Sequence, residues 1–313
     1  MTGPIVGIDL GTTHSALAYA DADADPTLLA IPQVVGKAEV DSLRLLPSAL
    51  YAPAPHEPVP DPWAELPWVV GKYARERSAE TEGRGVASAK SWLSHAAVDR
   101  QAPILPWGIE DADCLHLSPV EASTRVLAHL ARAWDATFPQ HPLGQQQVVL
   151  TVPASFDQVA RRLTVAAARE AGLSVRLLEE PTAAFYALLA KVGESSLREL
   201  VAARGQAQVL VVDVGGGTTD LTLIRLEFSP SGRLSAERTA VGRHLLLGGD
   251  NLDLALAHLA ERRLSPAGTH LPPQRFVQLV QACRVAKEKL LAEAAPDSAK
   301  LTLAARGSQL VGG

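Results

Sequence analysis

The stretch VVDVGGGTTDLTLI, residues 211–224, sets three consecutive glycines between two apolar runs, with an aspartate on either side. Residues 209–212 read as a buried strand and residues 221–226 as its return, so Gly215, Gly216 and Gly217 form the tip of a hairpin. Glycine permits the positive φ of such tips and leaves backbone N–H groups uncovered. Uncovered amides curled around a concavity bind anions, phosphate above all. The flanking acids, beside an anion site, need a separate reason.

A near-repeat supplies it. Residues 7–20, GIDLGTTHSALAYA, run as apolar strand, Asp9, Gly11, Thr12, Thr13 and second strand; the later stretch runs as strand, Asp213, three glycines, Thr218, Thr219 and second strand. Two such hairpins facing one another across a cleft would grip a polyphosphate from both sides. Phosphates bring Mg²⁺, which keeps most of its waters and is held by carboxylates directly or through them. Asp9 and Asp213 are therefore assigned to the metal, and the amides and hydroxyls to the phosphates. No G-x-x-x-x-G-K-[ST] loop is present, and the glycines turn a hairpin instead of opening a helix, which argues against a P-loop and a dinucleotide fold.

At 313 residues, with 47% hydrophobic residues, the chain exceeds the usual size of one core, and two lobes are expected. A net charge of −5 shows no overall basic surface, so neither nucleic acid nor membrane is expected as a partner. Cys114 and Cys283 fit neither a disulfide framework nor a zinc spacing, and read as apolar fillers in a reducing compartment. The start MTGPIVGIDLG lacks a signal peptide's basic start and long apolar run, and no segment reaches about 18 uninterrupted apolar residues. A cytoplasmic chain is expected.

Six prolines in APAPHEPVPDPWAELP, residues 52–67, predict an exposed excursion without regular structure. Residues 117–138 predict a core helix capped by Ser118, with Pro119 in its first turn and Glu121 completing a capping box. QVVLTVPAS, residues 147–155, reads as a buried strand, followed by a helix capped by Asp157 and ended by Gly172. A short strand at 175–178 leads to a helix whose first turn holds Pro181, which places Glu180 at that helix's positive end. The polar, glycine-containing stretch at 191–206 predicts the boundary between lobes, and helices follow the turn at 248–249 and span about 273–293.

GIDLGTTHS, TVPASFD, EEPTAAFYALL, VVDVGGGTTDLTLI and LGGDNLDLAL occur in this order in the nucleotide-binding domain of Hsp70 chaperones, which the chain resembles from about residue 5 to 292. The resemblance implies an α/β fold of the actin, sugar-kinase and Hsp70 superfamily: a two-lobed actin-like ATPase with duplicated ribonuclease-H-like lobes. Lobe I is expected at 1–205, with an inserted subdomain at about 36–117, and a partial lobe II at 206–313. It further implies ATP or ADP and Mg²⁺ as ligands. Asp9 and Asp213 match acids near the metal, mostly through water, and Glu180 matches a carboxylate near the metal's water shell. Gly11, Thr12, Thr13, Gly215, Gly216, Gly217 and Thr218 match phosphate loops. Gly248, Gly249 and Lys287 match further nucleotide contacts, and Asp220 matches an acid near the attacking water. Lys90, in VASAKSWLSH at 86–95, matches the catalytic lysine. Thr218, Glu180 and Asp220 join Lys90 in the catalytic set, while Pro153 and Arg161 match an interdomain relay.

Two departures stand out. Where the family presents Glu, Lys and Arg around the adenosine, this chain has Arg284, Lys287 and Glu288, which weakens base recognition because a glutamate cannot stack on a base as a guanidinium does. Lobe II is also expected to be incomplete on its C-terminal side, the final VGG at 311–313 not serving as the family's adenosine-closing turn, and client peptide would bind only through a domain absent here. J-domain co-chaperones and nucleotide-exchange factors are the implied partners. A superfamily small-molecule kinase and a non-hydrolysing, nucleotide-switched scaffold are the alternatives.

Overall fold

A computed structural model describes residues 3–303 except 22–23, 56, 58, 61, 64–66, 82, 110–113, 203–204, 230, 243–244 and 266–268; the terminal VGG lies outside the described residues. The chain divides into two compact units, Met1–Leu247 and Gly248–Gly313. The boundary expected near 205 falls inside the first unit.

The first unit begins with β1 (Ile5–Leu10), β2 (His14–Ala20) and β3 (Thr27–Leu28). A smaller region follows, of β4 (Ile31–Gly36), β5 (Glu39–Leu43), β6 (Leu46–Pro47), β7 (Ala49–Tyr51), β8 (Val69–Val70), α1 (Lys72–Glu80), β9 (Gly85–Ala87) and α2 (Ala89–Trp92). Then come α3 (Pro119–Thr137), β10 (Gln147–Val152), α4 (Gln158–Glu170), β11 (Val175–Glu179) and α5 (Glu180–Ala202), and finally β12 (Ala207–Val214), β13 (Thr219–Phe228) and β14 (Leu234–Val241).

The first sheet has the order β11-β10-β1-β2-β3, with β6 paired to β2. β1 runs parallel to β10 and antiparallel to β2, so it is central, and Val6, Ile8 and Leu10 on its inward face are buried. They join one core with Leu127, Leu130 and Trp134 of α3 and Ala160 and Ala167 of α4. Each fully buried large side chain there contributes about 1.5–3 kcal/mol. The local signals hold: Ser118 Oγ accepts Glu121 N–H at 3.1 Å while Glu121 Oε2 accepts Ser118 N–H at 2.7 Å. Asp157 Oδ1 accepts Ala160 N–H at 2.6 Å, and Gly172 takes the left-handed φ of 80° that ends α4.

The second sheet, β12-β13-β14, is antiparallel throughout. β12 is its edge, and among the described residues one of its faces is covered: Phe185, Leu197 and Val201 of α5 pack with Ala207, Ile224 and Leu226. The buried strand expected at 209–212 is therefore buried on one side alone, and Leu210, Val212 and Val214 are more than half exposed. The same contacts carry α5 through the polar stretch expected as a break. The helix interrupts only at Gly193 (φ 78°) and resumes to Ala202, because Leu197 and Val201 are needed on the sheet.

The proline-rich segment has no regular structure among its described residues, but it does not simply stand off in solvent. Glu57 accepts hydrogen bonds from Tyr51 Oη at 2.6 Å, Tyr73 Oη at 3.1 Å and Arg77 Nε at 2.9 Å, tying the segment to β7 and α1. Burial opposes the charge on Glu57, yet these donors outweigh it and hold its pKa below the ordinary carboxylate value.

The second unit contains α6 (Gly249–Leu264) and α7 (Pro273–Leu290), packed through Ala257, Leu279 and Cys283. Asp253, fully buried, accepts Arg284 Nε at 2.8 Å and pairs with Lys287 Nζ at 2.7 Å. Arg284 also pairs with Asp250, and Lys287 donates to Gly249 O at 2.9 Å. Asp250 and Asp253 of α6 thus pair with Arg284 and Lys287 of α7.

Candidate active site

The two hairpins meet at one cavity of about 470 Å³ in the first unit. Asp9, Gly11, Thr12 and Thr13 line it from the first hairpin, and Asp213, Gly215, Gly216, Thr218 and Asp220 from the second. Lys90 and Glu180 complete its charged lining, and Pro153 forms part of its wall.

Sheet register explains why the second hairpin carries two acids. Asp213 and Asp220 are directly opposed across the β12–β13 ladder, an arrangement of like charges that destabilises a sheet. Burial, then Asp220 and Asp9, push the Asp213 carboxyl above its ordinary value, with Lys90 opposing. In the first hairpin Asp9 faces Ala16, so that turn brings one acid only. Asp9 Oδ1 accepts the Thr151 hydroxyl at 2.9 Å, which fixes its orientation from β10.

The tip of the second hairpin is closed by Gly215 N–H donating to Thr218 O at 2.8 Å. The reason for its glycines differs from the one expected. None of Gly215, Gly216 and Gly217 has a positive φ. What Gly216 provides is space: a Cβ there would overlap the side chain of Thr13, so the absence of a side chain lets the two hairpins approach. The first hairpin is braced from behind, where Ser48 Oγ donates to Gly11 O at 2.7 Å and Ser48 N–H donates to Thr13 O at 2.9 Å.

Lys90 enters from α2. Ser88, with a left-handed φ of 56°, turns the chain sharply from β9 into this short helix, a conformation that costs about 1–3 kcal/mol in a residue with a side chain and is kept where position matters. Lys90 is 7% exposed, and its Nζ donates to Glu180 Oε1 at 2.5 Å. Beside it, half-buried Trp92 stacks with His95 and lies against Trp107. Burial pushes Glu180 above its ordinary pKa, Lys90 pulls it down, and the charges of Asp9 and Asp213 add to the upward side.

Not every sequence-predicted residue joins this cavity. Gly217 is outside the lining, and Arg161 lies on α4, where it pairs with Glu179 at 2.7 Å. Gly248, Gly249 and Lys287 belong to the second unit, where Lys287 is engaged by Asp253 and Gly249. The sequence reading missed Thr151, Phe156, His14, Ser91, Ser94 and the alanines Ala183, Ala184 and Ala187 of α5. A signal existed for the alanines, since small residues one turn inside a helix that starts at an acid leave room for a ligand. Thr151 gave none, because its role depends on β10 lying beside β1.

Asp9, Asp213, Asp220 and Glu180 around one lysine make a site rich in negative charge; burial first, and neighbouring carboxylates after it, raise Asp213 and Glu180. Such a site suits a divalent cation. Among the described residues no three His, Cys, Asp or Glu side chains are grouped to hold an ion directly. Amides and hydroxyls at both hairpin tips suit anionic oxygens. Chemically the cavity can hold a polyphosphate with its counter-ion and place a buried ammonium beside it. No helix among the described residues is long and apolar enough to cross a membrane.

Comparison with known proteins shows the family. A family model described as "Hsp70 protein" matches residues 5–306. The chain is 34% identical over 313 residues to "Chaperone protein HscA" of Pectobacterium carotovorum subsp. carotovorum (strain PC1), an alignment covering 96% of this chain and 44% of that protein. It is 33% identical over 296 residues to "Chaperone protein HscA homolog" of Bordetella petrii, covering 91% of this chain and 41% of the relative. A homolog from Pseudomonas aeruginosa (strain LESB58) is 34% identical over 305 residues, with 92% and 42% covered. The chain therefore spans less than half the length of these relatives. With a family match across nearly its whole length and relatives about a third identical over most of it, this chain belongs to the Hsp70 protein family.

Proposed function

We propose that this chain is an Hsp70-type nucleotide-binding domain that binds Mg·ATP in the first-unit cavity and hydrolyses it by attack of water on the γ-phosphate, driving a chaperone-type conformational cycle. One observation carries the reading: two hairpins 200 residues apart in sequence, four carboxylates and one buried lysine line a single cavity. The Hsp70 family is one of ATP-binding chaperones, and the coarse assignment follows from membership.

In this reading the amides and hydroxyls of Gly11, Thr12, Thr13, Gly215, Gly216 and Thr218 hold the phosphates. Asp9, Asp213 and Glu180 hold the waters of Mg²⁺, which when bound supplies charge neutralisation at phosphate oxygens. Asp220 orients the attacking water. Lys90 meets the charge that develops on the transferred phosphoryl group, and Glu180 keeps its ammonium aimed into the cavity. A two-lobed arrangement, a cytoplasmic setting, and J-domain and exchange-factor partners belong to the same proposal and rest on the family.

Single-turnover hydrolysis tests it. Lys90→Ala is expected to slow the chemical step by roughly 10²–10³-fold while nucleotide affinity stays within about tenfold, since the cation acts on transition-state charge. Asp220→Asn is expected to slow the same step. An unchanged rate in Lys90→Ala removes Lys90 from the reaction; a change only in Mg²⁺ dependence in Asp220→Asn reassigns Asp220 to the metal.

A further inference from the structure

We propose that Glu179, held between Arg161 and Arg238, is a positioning residue that fixes the two hairpin-bearing sheets in one geometry about the cavity. Its consequence for nucleotide rests on the reading of that cavity given above.

Glu179 is the last residue of β11, in the first sheet. One peptide later Glu180 opens α5 and grips Lys90. Glu179 Oε1 accepts Arg161 Nη2 at 2.7 Å, from α4, and Oε2 accepts Arg238 Nη1, from β14 of the second sheet. Arg161 also donates Nε to Phe156 O at 3.1 Å, and Phe156 lines the cavity. On the other side, Arg238 sits opposite Ile224 in the β13–β14 ladder, and β13 begins at Thr219 and Asp220. One carboxylate is thus shared between a helix that abuts the cavity wall and a sheet that carries Asp213 and Asp220.

Chemistry favours this role over an incidental surface contact. Each oxygen of Glu179 accepts from a guanidinium of a different element, Arg161 of α4 and Arg238 of β14. Charge-assisted bonds from two planar donors are directional, and each oxygen has its own partner, so both bonds persist only while the carboxylate stays between the two guanidiniums. Because Glu180 follows directly in the chain, fixing Glu179 also fixes the carboxylate that holds Lys90.

The test compares Arg238→Met, Arg238→Lys and Glu179→Gln in the 313-residue chain. Methionine retains an apolar stem in place of the arginine's, and lysine is the conservative variant. Amide hydrogen exchange in residues 180–186 and 213–222 is expected to quicken about tenfold in Arg238→Met and Glu179→Gln, and to recover partly in Arg238→Lys. Release of a fluorescent Mg·ATP analogue is expected to quicken about 5- to 10-fold in the first two variants. Exchange that is unchanged in both segments, or that quickens in β14 alone, overturns the proposal, as does unchanged release from a chain that binds nucleotide. If exchange responds as expected and the unmodified chain binds no nucleotide, the positioning role stands and the nucleotide reading falls.

Discussion

Lys90 and Glu180 show how much one contact can define. A lysine that is 7% exposed is rare unless paired, and its partner is the residue that opens α5. Glu57 is a comparable centre without evident chemistry. Its carboxylate serves two tyrosine hydroxyls and a guanidinium, so Glu57→Gln removes the charge from every one of those bonds. The expected loss is about 1–3 kcal/mol near neutral pH, measured by urea unfolding. The pH dependence has a definite sign. The folded pKa of Glu57 is depressed, so its contribution is present above the unfolded carboxylate value and is lost as pH falls through the folded one. The difference between the native chain and Glu57→Gln should therefore shrink in acid below about pH 4. A difference that grows in acid contradicts the assignment of Glu57 as the stabilising anion.

Among the elements, the hairpins are the informative pair. Gly216 approaches Thr13 so closely that a methyl group has no place to go. Gly216→Ala is expected to cost about 1–3 kcal/mol, and Thr13→Ala is expected to recover part of that loss, because it removes the atoms the new methyl meets. Thermal unfolding of the two single variants and the double variant measures this coupling; strictly additive losses would mean that the hairpins do not touch. α4 offers a simpler case. Its N-cap Asp157 is held below its ordinary pKa by the Ala160 N–H and then by Arg100. Asp157→Ala is expected to cost about 1 kcal/mol, the usual worth of such a cap.

For the molecule as a whole, the two units differ in how much holds them. The first has a core drawn from a central sheet and two helices, whereas the buried apolar residues of the second, among the described residues, are Ala257, Leu279 and Cys283, and Leu252, Leu254, Leu256 and Leu259 are substantially exposed. Hydrogen exchange in α6 and α7 is expected to be faster than in β1, β10 and α3, through local opening below the global unfolding free energy. Uniform protection across both units would contradict this. Ligand selectivity follows from the same division. The first-unit cavity is lined by groups suited to phosphate and metal, while Arg284 and Lys287 of the second unit are already neutralised by Asp250 and Asp253. Mg·ATP and Mg·GTP are therefore expected to bind within about tenfold of each other, a gap under ~1.4 kcal/mol. Calorimetric titration checks it, and a strong preference for ATP would show that the base is read by groups other than these.

Some of this was legible along the chain because the interactions concerned are short in sequence. The hairpin at 211–224, its near-repeat at 7–20, the capping box of Ser118 and Glu121, the Asp157 cap and the Gly172 stop each depend on residues within a few positions, so backbone sterics and local hydrogen bonds settle them. The pairing of acids with glycine turns is local too, and the proposal of phosphate and metal rests on it. What sequence could not reveal is which distant groups meet. Lys90 and Glu180 are 90 residues apart, and Thr151 and Asp9 are 142 apart; each pair exists only once sheets and helices have closed around a common cavity. Glu57 looked like part of a loose proline-rich loop because its partners lie on β7 and α1, and α5 looked broken at 191 because its second half is stabilised by a sheet that comes later in the chain. Gly216 looked like a residue chosen for its backbone freedom, and its tertiary neighbour Thr13 shows that it is there for its missing side chain. Local chemistry selects the elements; long-range closure, whose entropic cost is met only when many contacts form together, selects which of their side chains become a site.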